Sequence, residues 1–484
     1  MLKQNHFTYL ILITAALIAL FLYNPWLLYF QNDDMVHIPL SRDGVLLQHN
    51  TFRPICDISI MIDYKIWSKN ASGYHLTNLL LHTANSILTF IACKNIFKKY
   101  KLRGDINLKA TAIAVLFWIY MNHAEAVFWI LGRSAMLGML FFLCACLAYL
   151  QRKSTLNFSL SMLFSILAWL SYESAWIIPF VFLLISYMDI GNGISKWRRE
   201  KNYLLLIIAA FALYLGFRVY FTGAVTGLYE SGGVVNADIL FFVGNLARLA
   251  IRSWLPPFQD QRILIAAFLI LMVLIALVII KAKNQKAKRA VIIFLFMWSV
   301  SLLPYITLGV DTKGVESERF LYMPSFFICI VLALIIFQWP HIVSTAAISV
   351  ICAVSLFVLS YHAKQYRFAG NVVKNTINVI DSLHNKTRLI ADRVPQENFG
   401  ALIFRAGFPE GVNWLKNLST FDTVIVLSQS HVDLPLRKNY PGVYSHDLSL
   451  IPDTNIRSHF AGSAAYLLYT DSSIIIITSA DGRQ

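Results

Sequence analysis

The sequence predicts an all-α polytopic membrane bundle of about 11 transmembrane helices, followed by a small C-terminal extracytoplasmic α+β domain. Three observations lead there. Of the 484 residues, 57% are hydrophobic and only 14% charged, with a mean hydropathy of +0.59. Soluble domains carry roughly 45–50% apolar and about 25% charged residues. Apolar runs near the ~20 residues needed to cross the hydrocarbon of a bilayer recur from Phe7 to Tyr361. Beyond Tyr361 they give way to polar stretches and short β-rich segments. Burial does not rise fast enough with chain size to hide so much apolar surface in one core. Soluble enzyme, disordered scaffold and repeat solenoid are therefore excluded for the whole chain.

In order, the predicted spans are 7–29, 75–97, 109–121, 135–150, 156–171, 174–188, 202–221, 262–280, 290–308, 320–337 and 341–361. The first is a signal anchor: it is long, and it leads into Asn24-Pro25-Trp26 and Asp33-Asp34 without an A-x-A-like cleavage site. The third, fourth and sixth are short, and are read as tilted or partly buried by neighbours. Residues 1–361 form the membrane domain. Residues 362–484 form the α+β domain, with strands expected at Gly400–Phe404, Thr423–Leu427, Ala465–Tyr469 and Ile474–Thr478 and helical periodicity over Val372–Leu383.

The formal charge of +15 reflects short basic clusters between apolar runs, as retained cytoplasmic loops require; nucleic acid is not an expected partner. Lys94, Lys98, Lys99, Lys101, Arg103 and Lys109 flank one loop, Arg152 and Lys153 a second, Lys196, Arg198, Arg199 and Lys201 a third, and Lys281, Lys283, Lys286, Lys288 and Arg289 a fourth. With alternating helices all four fall on the side of Lys3, which places the N-terminus in the cytoplasm and the C-terminal domain outside. Five of the six cysteines lie inside apolar runs and none has zinc-ligand spacing.

Charges beside a bilayer are expensive, so their placement is informative. On the external side lie Asp33, Asp34 and Arg53 after the first span, His75 at the start of the second, Glu125 and Arg133 between the third and fourth, Glu173 between the fifth and sixth, Arg248 and Arg252 before Pro256-Pro257, and Glu318 and Arg319 before the tenth. Carboxylates and arginines thus converge on one face at the ends of several helices. That set suits glycosyl transfer from a lipid phosphate. One carboxylate takes the proton of an attacking hydroxyl, and arginines stabilise the departing phosphate with bidentate geometry. A lipid-linked glycan transporter or flippase, or a non-catalytic glycan-binding membrane protein, would use similar charges.

Four segments carry a resemblance: Asn32-Asp33-Asp34; Phe52-Arg53-Pro54 leading through Trp67 into Gly73-Tyr74-His75-Leu76-Thr77-Asn78 and on to His82; His123-Ala124-Glu125-Ala126-Val127-Phe128-Trp129 continuing to Gly132-Arg133; and Glu318-Arg319-Phe320-Leu321-Tyr322-Met323-Pro324-Ser325. In this order and sidedness they resemble the membrane portion of the TMTC family of protein O-mannosyltransferases and its bacterial relatives, which have the GT-C fold. The resemblance covers roughly residues 1–365. It implies an inverting, polyprenyl-phosphate-sugar-dependent glycosyltransferase acting on the extracytoplasmic face upon a protein, lipid or glycan acceptor. Asp33 would be the base with Asp34 assisting. Arg133 and Arg319 match family arginines whose natural partner is the carrier phosphate. Glu125 and His75 match site-lining positions, and Arg53 and Glu318 sit within the same motifs. Some GT-C members use a divalent metal, which leaves that cofactor open here. The tetratricopeptide repeats of TMTC proteins have no counterpart in this sequence, and the expected address is a bacterial inner membrane.

Overall fold

The computed structural model describes residues 2–46, 52–102, 104–152, 154–190, 194–223, 239–282, 284–383, 386–416, 421–430, 441–458, 460, 464–471 and 473–478. Arg103, Lys153 and Lys283 of the basic clusters lie outside them. The chain opens with α1 (Leu2–Leu22), a short α2 (Asp34–Arg42), α3 (Pro54–Trp67) and the long α4 (Ala71–Lys99). There follow α5 (Ile106–Trp118), α6 (Ala124–Phe128), α7 (Arg133–Leu150), α8 (Thr155–Trp169), α9 (Ile178–Ile190), α10 (Ile194–Thr222) and α11 (Ile239–Trp254). The bundle ends with α12 (Gln261–Lys281), α13 (Gln285–Leu302), α14 (Tyr322–Ile336) and α15 (His341–Asp381).

Helix starts are set by local chemistry. Pro54 opens α3, where a missing N–H costs nothing. Asn70, Asp105, Ser154, Asp260 and Asn284 accept backbone N–H groups at the starts of α4, α5, α8, α12 and α13. Among the described residues, eight helices are long and apolar enough to cross a membrane, and the three shorter apolar ones are Ile106–Trp118, Thr155–Trp169 and Glu173–Met188. α14 is the central post, buried along almost its whole length. α12 is the opposite case: apolar throughout, with only Leu264 and Ile275 buried, as a lipid-facing helix should be.

α15 runs unbroken for 41 residues. The composition change at Tyr361 therefore falls inside a helix. Lipid-facing Val350, Val354 and Phe357 are exposed on its first half, whereas Ala363, Tyr366, Ala369, Val373 and Ile377 on the second half are buried. The backbone continues while the solvent of the helix changes from lipid to protein.

The C-terminal region holds β1 (Arg388–Asp392), β2 (Val394–Pro395), β3 (Glu397–Asn398), β4 (Ala401–Leu402), α16 (Phe408–Leu415), β5 (Thr423–Val426), β6 (Gln429–Ser430), β7 (Gly442–Ser445), α17 (Thr454–Ser458), β8 (Ala464–Tyr469) and β9 (Ile474–Thr478). Its main sheet has the order β5-β1-β8-β9-β7. β1 runs parallel to β5 and β8, β8 antiparallel to β9, and β9 parallel to β7. Three of the four expected strands are here. The fourth, Gly400–Phe404, supplies only the two-residue β4, because Ile403 and Phe404 leave the hairpin to bond Gln396 and Pro395.

Candidate active site

The first loop begins with Asn24, whose side chain accepts the Trp26 N–H (3.0 Å) and shapes the turn after α1. Gln31 then ties the loop to α15 by donating from Nε2 to the Tyr366 carbonyl (2.7 Å). Asn32 adopts a positive φ of 48°, a conformation asparagine tolerates better than most residues. Its own N–H donates to the Ile403 carbonyl and its Oδ1 accepts the Ala406 N–H, each at 2.8 Å. Gly407 completes the joint with φ +79°; a Cβ there would sit 2.8 Å from the Asn32 carbonyl oxygen. The C-terminal region thus grips the residue that precedes the acidic pair.

Asp33 and Asp34 open α2 with contrasting surroundings. Asp33 is half-buried at the N-cap position, and Asp34, in the first turn, is fully buried. Asp34 Oδ2 accepts the Gln31 N–H (3.0 Å), while its Oδ1 is buried with no hydrogen-bond partner among the described residues. Burial, reinforced by the neighbouring Asp33 charge, pushes its carboxyl well above the usual carboxylate range, against the Gln31 N–H and the Arg133 charge. Two adjacent carboxyls are therefore held in different environments, the arrangement that separates acid–base roles.

Arg133 opens α7, immediately after Gly132. A Cβ on Gly132 would lie 2.4 Å from the Glu125 carbonyl oxygen, so glycine lets this turn close tightly. The Arg133 side chain is 0% exposed and pairs with Asp63 at 2.7 Å. It also donates to Asn78 Oδ1 (2.9 Å), Ser59 Oγ (3.1 Å) and the Tyr74 carbonyl (3.0 Å). This setting differs from that of an open phosphate ligand, because the fork is spent on locking α3, α4 and α7 together.

Arg319 is placed otherwise. Its backbone N–H donates to Glu125 Oε2 (2.8 Å) and its guanidinium pairs with Glu125 Oε1. The guanidinium carbon lies 5.0 Å from the Trp129 ring centre, and the side chain as a whole is 13% exposed. Burial raises the Glu125 carboxyl, with Arg319 acting in the opposite direction. Arg53 caps α3 and bonds Glu173 at 2.8 Å over the Tyr172 ring, at 14% exposure. Glu173 is shared with Arg218 at 2.7 Å.

Glu318 is fully buried against Arg252. His362 Nδ1 stands 4.0 Å from the other Glu318 oxygen, and Arg252 also holds the Asp311 carbonyl (3.0 Å) and Asn122 Oδ1 (3.1 Å). His75 is buried in α4, with Nε2 3.3 Å from the Tyr29 carbonyl, so it supports the first loop from beneath. Arg248 bonds Asn245 Oδ1. The sequence motifs therefore meet at one end of the bundle, with Asp33, Arg53 and Arg319 the more accessible members and Asp34, His75, Arg133 and Glu318 enclosed. Among the described residues, no group of three or more His, Cys, Asp or Glu side chains is arranged to hold a metal ion.

Sequence reasoning passed over Asp63, Ser59 and Asn78 as partners of Arg133, and Arg218 as the second clamp on Glu173. Asp63 and Arg218 carried a usable signal, being charges within or beside apolar helices. Arg405, which bonds both Glu316 and Glu397, carried none, because a lone arginine in a soluble region is unremarkable in sequence.

Comparison with known proteins identifies a class first: the similar sequences are glycosyltransferases. In particular they are protein O-mannosyl-transferases, in keeping with the resemblance drawn from the four motifs. The tmtc2 protein of Xenopus laevis is 35% identical over 137 residues, 28% of this chain and 15% of that one. Human TMTC2 is 34% identical over 135 residues, 28% of this chain and 15% of its own length. F38B6.6 of Caenorhabditis elegans is 23% identical over 341 residues, 66% of this chain and 47% of that one. The chain thus spans less than half the length of each of these relatives. No family model matches it. Among solved structures, the Archaeoglobus fulgidus oligosaccharyltransferase, in complex with zinc and sulfate, aligns over 90% of this chain and 60% of its own at 14% identity and a TM-score of 0.43. ArnT from Cupriavidus metallidurans in the apo state aligns over 95% and 93% at 12% identity and a TM-score of 0.36.

Proposed function

We propose that the chain is an inverting glycosyltransferase that moves a sugar from a polyprenyl-phosphate carrier to an acceptor hydroxyl at the extracytoplasmic face of a bacterial inner membrane. Asp33 accepts the hydroxyl proton as the acceptor oxygen bonds to the anomeric carbon. The bond from that carbon to the phosphate oxygen breaks with its electron pair going to the phosphate, so no acid is needed for the leaving group. Arg319, and Arg53 beside it in role, neutralise the released phosphate; both side chains retain some exposure, 13% and 14%. Glu125 aims Arg319, Asp34 and His75 hold the loop that bears Asp33, and Arg133 and Glu318 lock the helices beneath.

The observation that carries this reading is the acidic pair in split environments at the start of α2, on the loop held by Asn32, at the end of the bundle where the partly exposed Arg53 and Arg319 lie. The test is incubation of the purified chain with radiolabelled polyprenyl-phosphate sugars. Transfer with release of carrier phosphate, lost in Asp33→Asn, supports the reading. Movement across a bilayer without bond cleavage would replace it with the transporter, and carrier binding with no product would replace it with the non-catalytic glycan-binding protein.

A further inference from the structure

A cavity of about 1160 Å³ lies at the other end of the bundle. Asn5 and Thr8 of α1 and His341 and Thr345 of α15 line it, whereas Asn24 after α1 and Tyr366 within α15 lie on the side of the acidic loop. From His341 to Tyr366 that separation is about 37 Å along a helix axis.

Its wall is apolar: Leu274, Leu277 and Val278 of α12 face Leu334 and Phe337 at the end of α14. Its rim is polar and basic. Lys109 of α5 and Lys281 of α12 both line it, the Lys109 ammonium lying against the Gly104 turn. Asp105, the one acidic lining residue among those described, is exposed at the rim, where it caps α5 at the Leu108 N–H (3.0 Å) and accepts from Asn5 Nδ2 (2.8 Å). Trp339 lines the rim and is 40% exposed, as an interfacial belt residue is. In the chain, Lys98 and Lys99 end α4, Lys101 follows it, and Lys286, Lys288 and Arg289 lie at the start of α13. Because α12 faces outward along its length, the cavity adjoins the lipid.

We propose that this cavity binds an anionic glycerophospholipid, one acyl chain lying between α12 and the Leu334–Phe337 wall and the headgroup phosphate between Lys109 and Lys281. An apolar slot continuous with the bilayer selects a hydrocarbon chain. Two ammonium groups at its rim outnumber the single carboxylate and favour negative charge, as basic side chains near a membrane surface do for anionic lipid. The site is separate from the transfer chemistry and stands whether or not that chemistry is correct.

The test uses the purified full chain in neutral detergent, titrated with fluorescent phosphatidylglycerol, phosphatidylcholine or a polyprenyl phosphate. Phosphatidylglycerol is expected to bind about tenfold or more tightly than phosphatidylcholine, and the K109Q/K281Q double variant to lose that preference. Val278→Trp, which fills the slot without touching charge, is expected to weaken both glycerophospholipids. Equal affinity of the wild-type chain for the two glycerophospholipids overturns the proposal, as does a preference that survives the double variant. A polyprenyl phosphate that displaces phosphatidylglycerol stoichiometrically at lower concentration overturns it in favour of a carrier site.

Discussion

At the scale of single residues, the two carboxyls of the first loop have separable consequences. Asp33→Asn should abolish transfer, measured as release of carrier phosphate, while the protein keeps its melting temperature. Asp34→Asn should act differently. Its folded-state carboxyl is raised above the unfolded value near 3.9 by burial, so between those values the folded protein binds more protons than the unfolded one. This contribution is present at low pH and lost as pH rises through the folded-state value. Asp34→Asn should remove that slope, leaving the melting temperature at pH 7–8 equal to or above that of the wild type. A steeper loss of stability with rising pH in the variant would contradict the assignment. Arg133→Ala leaves Asp63 buried without its partner, a change that costs about 3–5 kcal/mol and should appear as a large fall in melting temperature. Arg133→Lys should recover only part of it, because one ammonium cannot reproduce the fork to Asp63, Asn78 and Ser59.

At the scale of elements, glycine positions decide how closely backbones meet. Gly132→Ala must push a Cβ against the Glu125 carbonyl and so displace the segment that aims Arg319. Overpacking of this kind costs about 1–3 kcal/mol, and kcat for transfer should fall more than binding of carrier lipid, measured by titration. The helices themselves were legible in the sequence because lipid imposes length and apolarity on each span. The expected starts at 109, 262 and 290 fall one to five residues inside helices that Asp105, Asp260 and Asn284 cap. Which arginine would be enclosed was not legible. Arg133 and Arg319 each follow a short motif beside an apolar run, and only the packing of α3 and α4 around the first separates them. The 41-residue α15 was cut at Tyr361 for a related reason: hydropathy reports the solvent of a helix, and the solvent changes there while the helix does not.

At the scale of the whole molecule, the basic clusters and the acidic loop occupy opposite ends. If α1 enters from the cytoplasm, Ser449→Cys, exposed in the C-terminal region, should react with a membrane-impermeant maleimide on intact cells. Lys286→Cys, at the basic end, should react only after permeabilisation; the reverse pattern would invert the topology and move the acidic pair to the wrong face. The existence of a C-terminal α+β region could be read from composition. Its union with the site could not, because the contacts joining Asn32 to Ala406 and Gly407, and Glu316 to Arg405, link segments far apart in sequence with no periodic signature.

That union restricts how such a protein can be rebuilt. Since Asn32 and Gly407 meet backbone to backbone, a chimera that exchanges everything after α15 for the equivalent part of another protein severs the first loop from its mould. Only exchanges that carry residues 29–36, 311–318 and 396–411 together preserve the interlock. Engineering of acceptor preference on this scaffold should therefore treat those three stretches as one inheritable cassette, however distant they are along the chain.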